Sequence, residues 1–183
     1  MNAKKLNDWY TRMDAVTSSF RDLGRHDFNT KLNEVTWSIA QVLDHLVRIN
    51  RSYYATFDAV KDGLNTVHIH GKFGFLNRAV GKMILKSVEP GRRRKIKTQP
   101  IWEPQKSDIP NDILDTFQDE QDEMKLWMKH LSLIEDVHQP IASPANKAII
   151  YPLSTAFEII VTHEERHLEQ AKEIAASLAS HNS

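Results

Sequence analysis

The chain has 183 residues, 24 basic side chains against 24 acidic ones, and no cysteine. That length suits one core, since single cores serve roughly 100–200 residues, and the zero net charge removes the basic excess expected of a nucleic-acid binder. Without cysteine there can be no disulfide, thiolate metal ligand or cysteine nucleophile, so a metal must be held by His, Asp or Glu and any thiol must come from outside.

The opening stretch MNAKKLNDWY is polar and lacks the apolar core of a signal peptide, and no run approaches the ~20 apolar residues of a membrane span. A cytoplasmic protein with no membrane partner is expected. Leu6, Trp9, Tyr10, Met13, Val16, Phe20 and Leu23 then recur at the three- and four-residue spacing of one helical face, which predicts a first helix ending near Gly24.

Ser38 and Gln41 form an S-x-x-Q capping box, with Trp37 and Val42 placed as a hydrophobic staple, so a second helix begins near Ser38. Its stripe runs through Ile39, Val42, Leu46, Ile49, Tyr53, Phe57 and Val60 to Gly63. From Asp62 to Ser107 the pattern is broken by glycine and proline and reads as a long crossover, with a short helix over Phe73 to Leu85.

A third helix is predicted with Asp108 or Ser107 as its cap, Pro110 in its first turn, and an apolar face from Ile113 to Leu131. A loop holding Pro140 and Pro144 follows, and Pro152 opens a fourth helix carrying Leu153, Phe157, Ile160, Val161, Leu168, Ala171, Ala175 and Leu178. Ile149-Ile150-Tyr151 is too short to argue for a sheet. The expectation is an all-α chain: a single domain over 1–183 built as a four-helix bundle with one long crossover at 63–108.

The last helix contains His-Glu-Glu-Arg-His at 163–167, which matches the HExxH spacing of zinc proteases. A zincin continues as HExxHxxGxxH, but Gln170 and Glu173 stand at the glycine and third-histidine positions, so the protease reading fails. His163 and His167 still share one helix face, about 40° apart, and can grip one metal if a third ligand comes from elsewhere. His45 is the candidate, at the border of the second helix's apolar stripe.

The segments WSIAQVLDHL at 37–46 and HEERHLEQ at 163–170 together resemble the DinB/YfiT-like family along the whole chain. The resemblance implies an up-down-down-up bundle, a divalent metal held by one histidine of the second helix and two of the last, and homodimerisation. His45, His163 and His167 stand at the three ligand positions, and Gln170 matches the family's H-x-x-x-H-x-x-Q tail. The long 63–108 crossover is a departure from a minimal member.

Three neutral imidazoles leave open positions on a metal, the arrangement of a catalytic site. Zinc and nickel both accept such ligands. The expected function is a metal-dependent thiol transferase or hydrolase acting on a small electrophilic molecule, with a low-molecular-weight thiol as the further partner; a non-catalytic metal- or ligand-binding stress protein is the alternative. Glu164, in the apolar sector of the last helix, is the candidate catalytic carboxylate. It either accepts an N–H from a liganding imidazole such as His45, shuttles a proton, or pairs with an arginine or lysine. The basic run Arg92, Arg93, Arg94, Lys95 and Lys97 reads as a solvated loop, His68 and His70 as surface residues, and Tyr53, Tyr54 and Trp127 as core or seam residues.

Overall fold

A computed structural model describes residues 3–23, 28–67, 74–91, 97–106, 108–134 and 136–181. Among these residues, five helices, α1 (Ala3–Asp22), α2 (Ile39–Lys61), α3 (Gly74–Val88), α4 (Ile113–Ser132) and α5 (Leu153–His181), are accompanied by a 3₁₀ turn at Pro100–Trp102 and by the strands β1 (Pro140–Ser143) and β2 (Asn146–Pro152). The third and fourth helices expected from the sequence are α4 and α5.

Two apolar clusters set the direction of each long helix. One gathers the first half of α1 and α5 with the second half of α2 and α4, around Trp9, Phe57, Met124 and Phe157. The other gathers the opposite halves, around Phe20, Leu43, Phe117 and Ala171. So α1 and α5 run one way, α2 and α4 the other, and the bundle is up-down-down-up as expected. Burying these side chains supplies the main driving force, at about 25 cal/mol per Å² of apolar surface.

Local signals explain most of the boundaries. The capping box is formed, with the Ser38 hydroxyl accepting from Gln41 N and the Gln41 carbonyl accepting from Ser38 N, both at 3.2 Å. At its far end α2 closes through Gly63 at φ +69 and a bond from Leu64 N to Ala59 O, the left-handed stop that only glycine takes without strain. Helix α1 ends at Asp22 with Leu23 in a turn, and Gly24 lies outside the described residues.

Two expectations are corrected. Asp108 does not cap α4, which begins five residues later after Asp112; Asn29 bonds both the N–H and the C=O of Ile109, and Pro110 holds the residue before it out of helical geometry. Ser107 lies outside the described residues. Around Pro140 and Pro144 the chain forms a hairpin, not a loop, pairing Ile141 with Tyr151 and Ala142 with Ile150. Prolines are tolerated there because Pro140 opens its strand and Pro152 ends the other.

One glycine that interrupts the crossover, Gly81, serves its packing. A Cβ at Gly81 would lie 2.8 Å from Thr155 Cγ2 and 3.2 Å from Tyr151 Cβ. Its absence lets α3 press flat on β2 and α5. Tyr53 is core, its hydroxyl 2.8 Å from that of Tyr151, while Tyr54 and Trp127 stack in the seam beside it.

Candidate metal centre

The trio named from the sequence converges. Ligand atoms of His45 on α2 and of His163 and His167 on α5 all lie within 4.8 Å of one another, in positions that could hold a metal ion. The 163–167 pair meets because residues four apart share a helix face. His45 meets them because α2 runs antiparallel against α5. His45 and His167 are buried and His163 is half-buried.

Hydrogen bonds fix which nitrogens are free. His45 Nδ1 lies 2.6 Å from the Trp102 carbonyl oxygen. A carbonyl only accepts, so Nδ1 carries the proton and Nε2 keeps its lone pair. His167 Nδ1 is 2.9 Å from Gln170 Oε1 and donates to it in the same way. Its Nε2 then faces His163 Nε2 at 3.1 Å. Orienting the far nitrogen of each imidazole by an acceptor is how proteins prepare histidines to ligate.

The rings are held neutral. Burial pushes His45 down to about 4, against the upward pull of the Trp102 carbonyl and Asp44. Burial and the neighbouring His45 push His167 down to about 3. Burial, with His167 and His45 alongside, holds His163 well below the ordinary imidazole value. Neutral imidazole is the form that binds metal, so this donor set fits a divalent cation.

The crossover supplies parts that the sequence concealed. Its second limb lies on α2: Gln105 N donates to Asp44 Oδ2 and Gln41 Nε2 donates to Gln105 O, both at 2.8 Å. Trp102 is pinned through its indole N–H to Ser52 Oγ at 3.0 Å, which sets its carbonyl over His45. Its first limb is tied to α5, with Arg166 donating to Ser87 O at 2.6 Å and Gly91 N to Glu169 Oε2 at 2.8 Å. Trp37, read as a staple, also covers the cluster, its ring 4.9 Å from that of His45 and stacked at 6.2 Å on His167.

Glu164 makes neither contact expected of it. No imidazole and no arginine or lysine among the described residues bonds its carboxylate; instead Oε1 accepts the amides of Asn50 at 3.0 Å and Gln121 at 2.7 Å. The three side chains form a buried polar layer between the two apolar clusters and tie α2, α4 and α5 together. Burial pushes the Glu164 carboxyl up to about 7, against the lowering effect of both amides. Asn50 and Gln121 sit within apolar stripes, and that is the one sequence signal that could have found them. Lys97 is exposed; Arg92, Arg93, Arg94, Lys95, His68 and His70 lie outside the described residues.

Three imidazoles converging from antiparallel helices, inside an up-down-down-up bundle, define a class of helical bundles with a histidine cluster in the seam. The chain belongs to the DinB superfamily, whose sequence profile matches residues 9–171. Its fold is similar to that of YfiT from Bacillus subtilis, described as a probable metal-dependent hydrolase with an unusual four-helix bundle topology. The TM-score is 0.58 at 15% sequence identity, over 98% of this chain and 90% of that one. No curated protein matches the sequence.

Proposed function

We propose that this chain is a metal-dependent enzyme acting on a small electrophilic molecule, as a hydrolase or as a transferase of a low-molecular-weight thiol, with His45, His163 and His167 holding a divalent zinc or nickel ion. The observation that carries the reading is the pairing of each buried ligand histidine, His45 and His167, with its own Nδ1 acceptor, which leaves both Nε2 lone pairs available beside His163. When bound, such an ion supplies a Lewis acid that lowers the pKa of water or thiol toward neutrality. The fold similarity to a probable metal-dependent hydrolase supports the same reading.

The protein's own groups have distinct tasks in it. The Trp102 carbonyl and Gln170 hold two rings in the ligating tautomer. Trp37 covers them and excludes water. The half-buried side of His163 admits substrate. With no cysteine in the chain, a transferred thiol arrives as a small molecule. Glu164 enters as a positioning residue, because its two amide bonds lock the turn of α5 that carries His163. Cytoplasmic location and homodimerisation belong to this reading and are checked by fractionation and sedimentation.

The test is to measure metal in the purified protein and then follow consumption of a chlorinated or epoxide electrophile with water, glutathione, cysteine or bacillithiol. Turnover that disappears with chelation and returns with metal supports the enzyme. A fully loaded protein inert toward water and every thiol overturns it in favour of a non-catalytic metal-binding protein.

A further inference from the structure

Helix α3 presents an unusual outer face. It packs inward through Asn77 and Gly81, with Ile84, Leu85 and Val88 partly buried against the core, while three other apolar side chains are left in solvent: Phe75 is 71% exposed, Met83 66% and Leu76 43%. Exposed apolar residues occurring singly need no explanation, but a grouped patch on one face does. Phe75, Ala79 and Met83 recur every four residues and form a stripe along the helix.

A second stripe runs beside it. Arg78, Lys82 and Lys86 also recur every four residues, offset from the apolar stripe by about 60° on the helical wheel, and all three are exposed. The helix carries no acidic residue at all, although the whole chain is neutral. The positive charge is therefore segregated locally and shares a face with the exposed apolar groups.

We infer that the outer face of α3 docks on an anionic lipid surface, Phe75, Leu76 and Met83 entering the headgroup boundary while Arg78 and Lys82 meet lipid phosphates. Helices that lie in the plane of a bilayer combine these two features. Each cation near an anionic leaflet contributes attraction that an apolar protein surface cannot match. A two-fold contact between copies of this chain through the same face would bring cationic stripes together, which opposes self-association. The close approach permitted by Gly81 holds α3 firmly on the bundle, so the face is presented as a rigid ledge and not as a loose segment.

The experiment floats the full-length protein with vesicles of phosphatidylcholine alone or of phosphatidylcholine mixed with phosphatidylglycerol. Binding to the mixed vesicles, little binding to the neutral ones, and weakening by added salt are expected. The double variant Phe75→Ser/Met83→Ser and the variant Lys82→Glu should each bind roughly tenfold more weakly. Both replace exposed side chains, so unchanged thermal melts confirm that they fold. Absence of binding to the anionic vesicles, or equal binding to both kinds, overturns the inference. So does concentration-dependent self-association abolished by Phe75→Ser/Met83→Ser, which would assign the face to a second copy.

Discussion

His45 Nδ1 stands 2.6 Å from the carbonyl oxygen of Trp102, across 57 positions of sequence. A candidate metal ligand on a core helix is thereby oriented by the backbone of the crossover, and the crossover is held in place by the Trp102 indole bond to Ser52 Oγ. Replacing Trp102 with Phe removes that bond and leaves the carbonyl less constrained. Metal affinity is expected to fall by about tenfold, the lower range for loss of an outer support to a ligand. Competition with a chromogenic chelator measures it, and unchanged affinity would separate the crossover from the metal site.

Loss of a ligand should be more severe. In His45→Ala or His163→Ala, two imidazoles remain, too few to hold a divalent ion against mild chelation. Metal content measured by elemental analysis should drop from near one ion per chain to near zero for either variant. A His45→Ala protein that keeps its full complement would show that the pair on α5 binds with a different third group.

The metal-free protein should lose stability on acidification. The ordinary imidazole value is 6.5, and folding takes His45 to about 4, His167 to about 3 and His163 well below 6.5. Between these values the unfolded chain holds imidazole protons that the folded chain does not, so folding weakens as pH falls below 6.5. Glu164 acts oppositely, because burial raises it from 4.5 to about 7; its contribution is present below 4.5 and lost as pH rises through 7. Three imidazoles outweigh one carboxyl by two protons, giving a net slope of roughly 3 kcal/mol per pH unit in the overlap. Urea unfolding in chelator at stepped pH tests this. Glu164→Gln should steepen the slope by about 1.4 kcal/mol per pH unit, and a flat profile for both proteins contradicts the assignment.

At Gly81 a single methyl should be costly. The Cβ of Gly81→Ala meets Thr155 Cγ2 at 2.8 Å, so α3 must shift from α5 or Thr155 must rotate. A destabilisation of about 1–3 kcal/mol is expected despite alanine's higher helix propensity. A melt as stable as that of the parent would mean that α3 moves freely.

Arg12 joins α1 to α5 through hydrogen bonds to three side chains. Its guanidinium donates to Glu158 Oε1 at 2.7 Å, to both Glu165 oxygens at 2.8 Å and to Thr162 Oγ1 at 3.0 Å. Arg12→Ala should destabilise by about 2 kcal/mol, the upper range for partly exposed charged hydrogen bonds. The effect should shrink on acidification, since Glu158 is drawn down chiefly by Arg12 and Trp9 against the upward push of burial, and its stabilisation is lost as pH falls through that lowered value.

Local chemistry made much of this legible beforehand. The stripe from Ile39 to Val60 and the box of Ser38 and Gln41 name a helix and its start, because a helix repeats over a few residues and its cap lies three residues away. The four-residue spacing of His163 and His167 is a statement about one face for the same reason. The start of α4 was not legible, since Asn29, 80 residues away, holds Ile109 in an extended bond pair. The hairpin was hidden because short paired strands carry little periodic signal.

The relations that shape the candidate metal centre are of this second kind. Glu164 bonds to Asn50 across 114 positions and to Gln121 across 43, and no spacing rule could choose amides over the imidazole or the arginine that local reasoning offered. Residue types and their intervals settle which faces are apolar and which side chains can ligate. Partners across the bundle depend on how helices of fixed pattern are turned and docked, and that follows from packing two cores at once.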